Sequence, residues 1–384
     1  MKICLFGSYY PHFERSATIT SAMSYLMTVS NSNVSICVFG NTDSFLPPCI
    51  DPERVILKKS WAEDDLLSLL RTFIDILCER DFDLYVFNIY LTSFGKRRLT
   101  NFLGLLLPIG VSILSRRRVI TYMHNFLETQ DFETLGYRAG LLTKLLVNFV
   151  ERLLAVLTKL VTTLPSMARE METTLKREVS SILIPYADAT ISFISSREAI
   201  IKSLSHKRSK PRLLLFGSWG PQKDLMRVLE LLSRNVYKND LEILVAGSVN
   251  KNFPSYFSLV TQFVLELKDD RFKFVWNPSE EAIPFLFLES DAIILPYLAA
   301  GGASGVMQLA SFYALDVIAY RNSQLEELAS LINKEVNFID PGDDNSLTEL
   351  VTKIKVKQNF DVEHLETKLN HTVESVDKLL RYAE

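Results

Sequence analysis

The chain has 384 residues, more than one core ordinarily organises, so two domains are expected. Hydrophobic residues make up 48% and charged residues 23%, a globular composition on the apolar side. With 42 basic against 45 acidic side chains the net charge is −3, so no global field draws in nucleic acid, and any anion site must be local.

The start, MKICLFGSYYP, is too short for a signal-peptide core and reads as a first strand. Cys4, Cys37, Cys49 and Cys78 form no C-x-x-C and stand near no His at metal-ligand spacing. They read as reduced thiols of a cytoplasmic protein, with no metal site. The longest apolar run, Phe102 to Leu114, is broken by Gly104, Pro108 and Gly110 and falls short of the roughly 20 residues of a spanning helix. A membrane span is therefore not expected, whereas contact with a membrane surface stays open.

Strand-like runs come at 2–8, 34–40, 54–59, 83–90 and 117–124, with helical patterns at 16–29, 63–79 and 96–114 between them. This alternation predicts a parallel sheet covered on both faces, and continuous apolar runs such as ICLF and YVF fit that burial. From Tyr137 to Leu160 apolar residues recur at helical spacing, predicting one long amphipathic helix. Strand-like VTTLPS (161–166) and SILIPY (181–186) follow, and the charged, proline-ended SHKRSKP (205–211) reads as linker.

The second half repeats the pattern, with strands at 212–218, 241–248, 271–277, 291–297 and 316–320 alternating with helices. The fold class is thus α/β, two doubly wound domains. Expected boundaries are 1–188, a linker 189–210, a second domain 211–362, and a helix at 363–384 packing back on the first domain. Ligands bind such sheets outside the carboxyl ends of the strands, where the strand order reverses.

Two loops of the second half sit at such ends. DAIILPY runs into AAGGASG, which places Gly301, Gly302, Ala303, Ser304 and Gly305 before a helix from about Ser304 to Tyr313. A helix N-terminus presents unpaired N–H donors and partial positive charge, and small side chains admit a phosphate to that backbone. A tight strand-to-helix turn packed on a neighbour explains the same glycines. In RLLLFGSWGPQKDL, Gly217, Ser218 and Gly220 follow the half's first strand, and Lys223 can aim its ammonium at the same crevice.

In the first half His124 and Asn125 end a strand, where a His can donate to a ligand, titrate, or merely cap a loop. His12, with Arg15 close by, follows the first strand and is a weaker candidate on the acceptor side. G-x-S-x-G, P-loop and G-x-G-x-x-G patterns are absent. PGDDNSL (341–347) lacks calcium-loop spacing and reads as a helix start.

The tandem domains, LFGSWGPQKDL, the strand-end His124, SILIPYAD and the glycine-rich loop after SDAIILPY together resemble the GT-B glycosyltransferases. The closest resemblance is to the retaining group that includes glycogen synthase and the phosphatidylinositol mannosyltransferases. The resemblance covers essentially the whole chain, and its order is more specific than any one motif. It implies two Rossmann-like domains facing across a cleft, with a nucleotide sugar held mostly by the second. It implies that Lys223 contacts the diphosphate and that His124 lies near the donor sugar. Gly302 to Val306 would hold phosphate and sugar, Trp276 and Asn277 would line the base, and Gly7 and Ser8 would form the first domain's glycine turn. No cofactor or metal is implied.

The departures fall on charge. The family's paired glutamates map to Ala300 and Gln308, and its Arg falls near Ser218. Gln308 keeps a neutral hydrogen-bonding role toward ribose. Transfer with retention by a front-face path needs no side-chain nucleophile, and no carboxylate pair suggests double displacement. The acceptor is expected to be a glycan or lipid-linked, since Lys96, Arg97, Arg98 and Arg116, Arg117, Arg118 flank an apolar segment as in proteins peripheral to an anionic membrane. Core packing bordered by solvated cations explains the same pattern. Loss of the charged contacts motivates a second reading, a non-catalytic relative that binds a nucleotide sugar or a partner glycosyltransferase. A third reading within the fold, an epimerase or hydrolase, lacks an ionisable group that can be placed near the sugar.

Overall fold

The computed structural model describes residues 1–10, 15–79, 81–90, 93–95, 97–126, 140–203, 208–234, 241–250, 253–299, 302–357 and 362–381. The chain divides into two compact units: Met1–Gln130, Ala139–Ser195 and Lys368–Glu384 form the first, Asp131–Arg138 and Ser196–Thr367 the second.

The first unit runs β1 (Lys2–Phe6), α1 (Arg15–Ser30), β2 (Ser35–Asn41), β3 (Val55–Trp61), α2 (Leu66–Cys78), β4 (Leu84–Ile89), α3 (Arg98–Ser115) and β5 (Arg118–Met123). It continues with α4 (Leu141–Leu157), β6 (Lys159–Thr162), α5 (Pro165–Leu175), the two-residue β7 (Ser180–Ser181) and the start of α6 (Ala187–Ser203). The second unit runs β8 (Arg212–Trp219), a 3-10 turn at Pro221–Lys223, α7 (Leu225–Ser233), β9 (Glu242–Val249), α8 (Pro254–Glu266), β10 (Phe272–Trp276) and α9 (Ile283–Leu288). It ends with β11 (Ala292–Leu295), α10 (Gly305–Phe312), β12 (Asp316–Tyr320), α11 (Ser323–Leu331), β13 (Val336–Ile339) and α12 (Asp344–Thr352), and α13 (Val362–Arg381) carries the chain back into the first unit.

All strand pairs are parallel, in the orders β3-β2-β1-β4-β5-β6-β7 and β10-β9-β8-β11-β12-β13. Each sheet reverses direction beside its first strand, so each is doubly wound, and its switch point lies between β1 and β4 or between β8 and β11. Successive strand residues point to opposite faces. Cys4 and Phe6 of β1 accordingly join the core beneath α2, α3 and α4, while Ile3 and Leu5 join the core that includes Met23 of α1 and Leu379 of α13.

Local chemistry sets several boundaries. Asp65 caps α2 by accepting from the amides of Leu67 and Ser68, and Asp343 caps α12 by accepting from Ser346. The Tyr137–Leu160 helix is corrected at its end: Thr158 is extended, so α4 stops at Leu157 and Lys159 opens β6. Its first residues, 137–139, lie outside the described ones. The stretch 189–210, read as linker, is helical through Ser203, with Thr190, Ile191 and Phe193 buried. Its apolar residues are spread around the helix rather than striped, which hid the period. α3 has the length and apolarity to cross a membrane, 18 residues at a mean hydropathy of 1.4, yet Leu105, Leu107 and Val111 bury themselves in the first unit's core.

Asp291 anchors the amino end of β11 with no solvent exposure. Its carboxylate accepts from both Arg208 terminal nitrogens at 2.8 and 2.9 Å and from the backbone amides of Arg212 at 2.7 Å and Lys357 at 2.8 Å. Four donors on one buried carboxylate tie the segments before β8 and after α12 to the sheet edge opposite the switch-point crevice.

Candidate functional site

The loops that follow β8 and β11 are neighbours because those strands pair. They are joined directly: the Leu298 amide donates to the Gln222 carbonyl at 3.0 Å. Lys223 ends the 3-10 turn, and its ammonium lies back over the carboxyl end of β8. It stands 4.8 Å from the centre of the Tyr297 ring and 5.9 Å from that of Trp219. It also approaches within 3.0 Å of the point a Cβ on residue 217 would occupy, so Gly217 is what lets the lysine reach across the strand. The two aromatic faces hold the ammonium at the end of the strand.

Gly247, beside Gly217 in the β8–β9 register, makes this close packing possible. Its φ is +122°, and a Cβ there would lie 1.9 Å from the Gly217 carbonyl oxygen. Sequence reading passed over it. Trp276 and Asn277 end β10, two strands from β8 at the same edge, about 10 Å away at the usual strand spacing. The Trp276 ring packs on Phe274 and Phe257, and the Asn277 amide donates to Gly247 O at 2.9 Å.

After β11 the chain enters α10, all eight of whose residues are buried. Ser304 is its N-cap, accepting from the Met307 amide at 3.3 Å, and Gly302 at φ +128° donates its amide to Gln324 Oε1 at 3.0 Å. The cradle read from sequence is thus partly occupied by the protein's own side chains. The amides of Gly305 and Val306 remain as first-turn donors without a capping side chain among the described residues, and burial leaves the helix dipole weakly screened. Gln308 sits in the second turn, 7% exposed, and Ala303 is half-buried. Ser218 is exposed on β8. Gly301 and Ala300 lie outside the described residues.

Next to Lys223, the half-buried Asp224 accepts from the Tyr320 hydroxyl at 3.2 Å. Burial raises its carboxyl above the ordinary value, against the opposing effects of that hydrogen bond and of the Arg227 charge.

In the first unit, Gly7 and Ser8 follow β1, and His124 and Asn125 follow β5, 9% and 8% exposed. His124 Nε2 lies 2.6 Å from Asn88 Oδ1, and Asn88 Nδ2 donates to Thr20 Oγ1 at 2.8 Å. A Cβ on residue 7 would meet both the Asn88 carbonyl oxygen and Thr20 Oγ1 at 2.8 Å, so only glycine fits above this pair. The structure therefore brings Gly7 and His124 together through Asn88, a residue hidden in the apolar run LYVFNI. With the amide of Asn88 donating to Thr20, its oxygen faces the imidazole, and His124 donates to it through Nε2. Arg15 opens α1, and His12 lies outside the described residues.

No family model matches the chain, and no curated protein matches its sequence. Solved structures do match its backbone. A glycosyltransferase from Rickettsia africae is 13% identical with a TM-score of 0.63, over 100% of this chain and 97% of that one. HepE of Anabaena, in complex with UDP and glucose, is 12% identical with a TM-score of 0.62, over 98% and 95%. The N-terminal domain of a Candida albicans trehalose-6-phosphate phosphatase is 9% identical with a TM-score of 0.64, over 100% and 96%. At such identities the likeness is one of fold, and the fold is α/β of the GT-B type, built of two doubly wound Rossmann-like domains.

Proposed function

We propose that the chain is a glycosyltransferase that moves a sugar from a nucleotide-sugar donor to a glycan or lipid-linked acceptor, with retention of configuration. The observation that carries this reading is that Lys223 lies over Gly217 and Tyr297 at the end of β8, beside β11, the strand that precedes the buried α10. A diphosphate there would find one ammonium and the Gly305 and Val306 amides. HepE, which shares the fold, was crystallised with UDP-glucose.

In this reading the bond from the anomeric carbon to the diphosphate oxygen breaks with its electron pair leaving on the diphosphate. Lys223 and the dipole of α10 stabilise the charge that develops there, an interaction stronger in the transition state than in the ground state. The acceptor oxygen attacks the face the diphosphate leaves, and its proton passes to the departing diphosphate oxygen. Gln308 would bind ribose hydroxyls, and Trp276 and Asn277 the base.

A second reading, a non-catalytic relative that still binds a nucleotide sugar, is favoured by neutral Gln308 and by the engagement of the Gly302 amide with Gln324. The fold also occurs in the N-terminal domain of a phosphatase. Incubating the protein with a panel of nucleotide sugars, with and without polyprenyl-phosphate and glycan acceptors, separates the readings. Acceptor-dependent release of nucleoside diphosphate supports transfer. Binding without release under every acceptor supports the inert relative, and no binding at all sinks the donor site.

A further inference from the structure

We propose that the outer face of α3 and α4 docks on an anionic phospholipid bilayer. This inference does not rest on the donor-site reading.

A helix covering a sheet ordinarily turns its apolar stripe inward and a polar face outward. In α4, Val147, Val150 and Leu154 are buried as that rule requires. The opposite face is also apolar: Leu141 is 77% exposed, and Leu145, Phe149 and Val156 follow on the same line at 57%, 57% and 58%. At the end of the adjacent α3, Ile113 and Leu114 are exposed as well. α2, α3 and α4 pack on one face of the sheet, so their outer sides share a surface. A contiguous apolar surface of this kind marks a partner or a membrane.

The charges decide between them. The exposed charged residues of α3 and α4 are Arg98, Lys144 and Arg152, all basic, and Arg116 and Arg117 are exposed at the turn after α3, with Arg118 exposed at the start of β5. The acid of α4, Glu151, is 2% exposed. In a chain of net charge −3 the outer side of α3 and α4 is therefore positive, with cations bordering the apolar line, while on the neighbouring α2 exposed Asp75 is set against exposed Arg71. An anionic bilayer complements both features. A second copy docked about a twofold axis would set the same cations against each other, which disfavours self-association through this face.

A groove of about 420 Å³ where α3 and α4 end is lined by Arg117, Arg118 and Lys159. Lys159 pairs there with Glu178 at 2.7 Å, and both helices turn their negative carboxyl ends toward the groove, so it is not a dedicated phosphate pocket. The 17-residue α4 is about 25 Å long at 1.5 Å per residue, long enough to lie flat in the headgroup layer.

The test is flotation of the full chain with phosphatidylcholine vesicles, with and without phosphatidylglycerol. The wild type should float only with phosphatidylglycerol and lose binding as salt rises. Reversing Arg116, Arg117 and Arg118 to Glu should weaken partitioning by at least about tenfold. A second variant, L145S with F149S, keeps the charges, removes outward side chains and leaves the core intact. It should also lose binding while retaining the wild-type unfolding midpoint. Absence of flotation with phosphatidylglycerol, or wild-type flotation of either variant, overturns the proposal. So does a wild-type dimer in light scattering that L145S with F149S dissolves, because a second copy would then cover the face.

Discussion

His124 Nε2 and Asn88 Oδ1 lie 2.6 Å apart, both buried, at the carboxyl edge of the first sheet. Removing the acceptor leaves a buried ring N–H with its desolvation cost. N88A is therefore expected to lose about 1–3 kcal/mol of stability, read as a lower denaturation midpoint at unchanged slope.

Two glycines differ in what an added methyl would meet. G247A must accept φ +122° and a Cβ 1.9 Å from the Gly217 carbonyl oxygen, whereas at residue 7 the contacts are at 2.8 Å. Positive φ alone costs on the order of 1–3 kcal/mol, and the backbone clash adds to it. G247A should thus destabilise more than G7A in thermal melts, and it should weaken nucleotide binding because the Gly217–Lys223 contact lies against it.

Asp291 is fully buried and accepts from Arg208, Arg212 and Lys357. D291A strands the Arg208 guanidinium, and breaking such a pair typically costs about 3–5 kcal/mol. Urea unfolding of the variant should show a loss in that range.

Asp224 gives a pH signature. Its folded pKa lies above its ordinary 3.8, so folding favours the protonated carboxyl. Stability from this group is present below the ordinary value and is lost as pH rises through the folded one. D224N cannot ionise and keeps an acceptor for Tyr320. Its stability relative to wild type should rise as pH is raised from the ordinary 3.8, as seen in urea midpoints.

What the sequence carried and what it hid divide along physical lines. Apolar runs such as ICLF and AIIL announced buried parallel strands, and the glycines at 217 and 302 marked the two loops that meet at the switch point. Asn88 was invisible because its chemistry arises only when β4 pairs with β5 and sets His124 against it. Gln324 lies 22 residues from the amide it accepts. β13, with the half-buried pattern of an edge strand in VNFI, left too weak an alternation to stand out. In α4 the period was legible, but spacing alone did not distinguish an inward stripe from an outward one.

The central claim is that Lys223 receives a diphosphate at the β8/β11 switch point. Calorimetric titration of UDP into the wild type, K223A and K353A, the last altering an exposed lysine on the cap of α12, tests it most directly. K223A should bind about 1.5–3 kcal/mol more weakly, the range for a charge-assisted hydrogen bond, while K353A matches the wild type. Wild-type affinity in K223A would remove the lysine, and the site built around it, from the account.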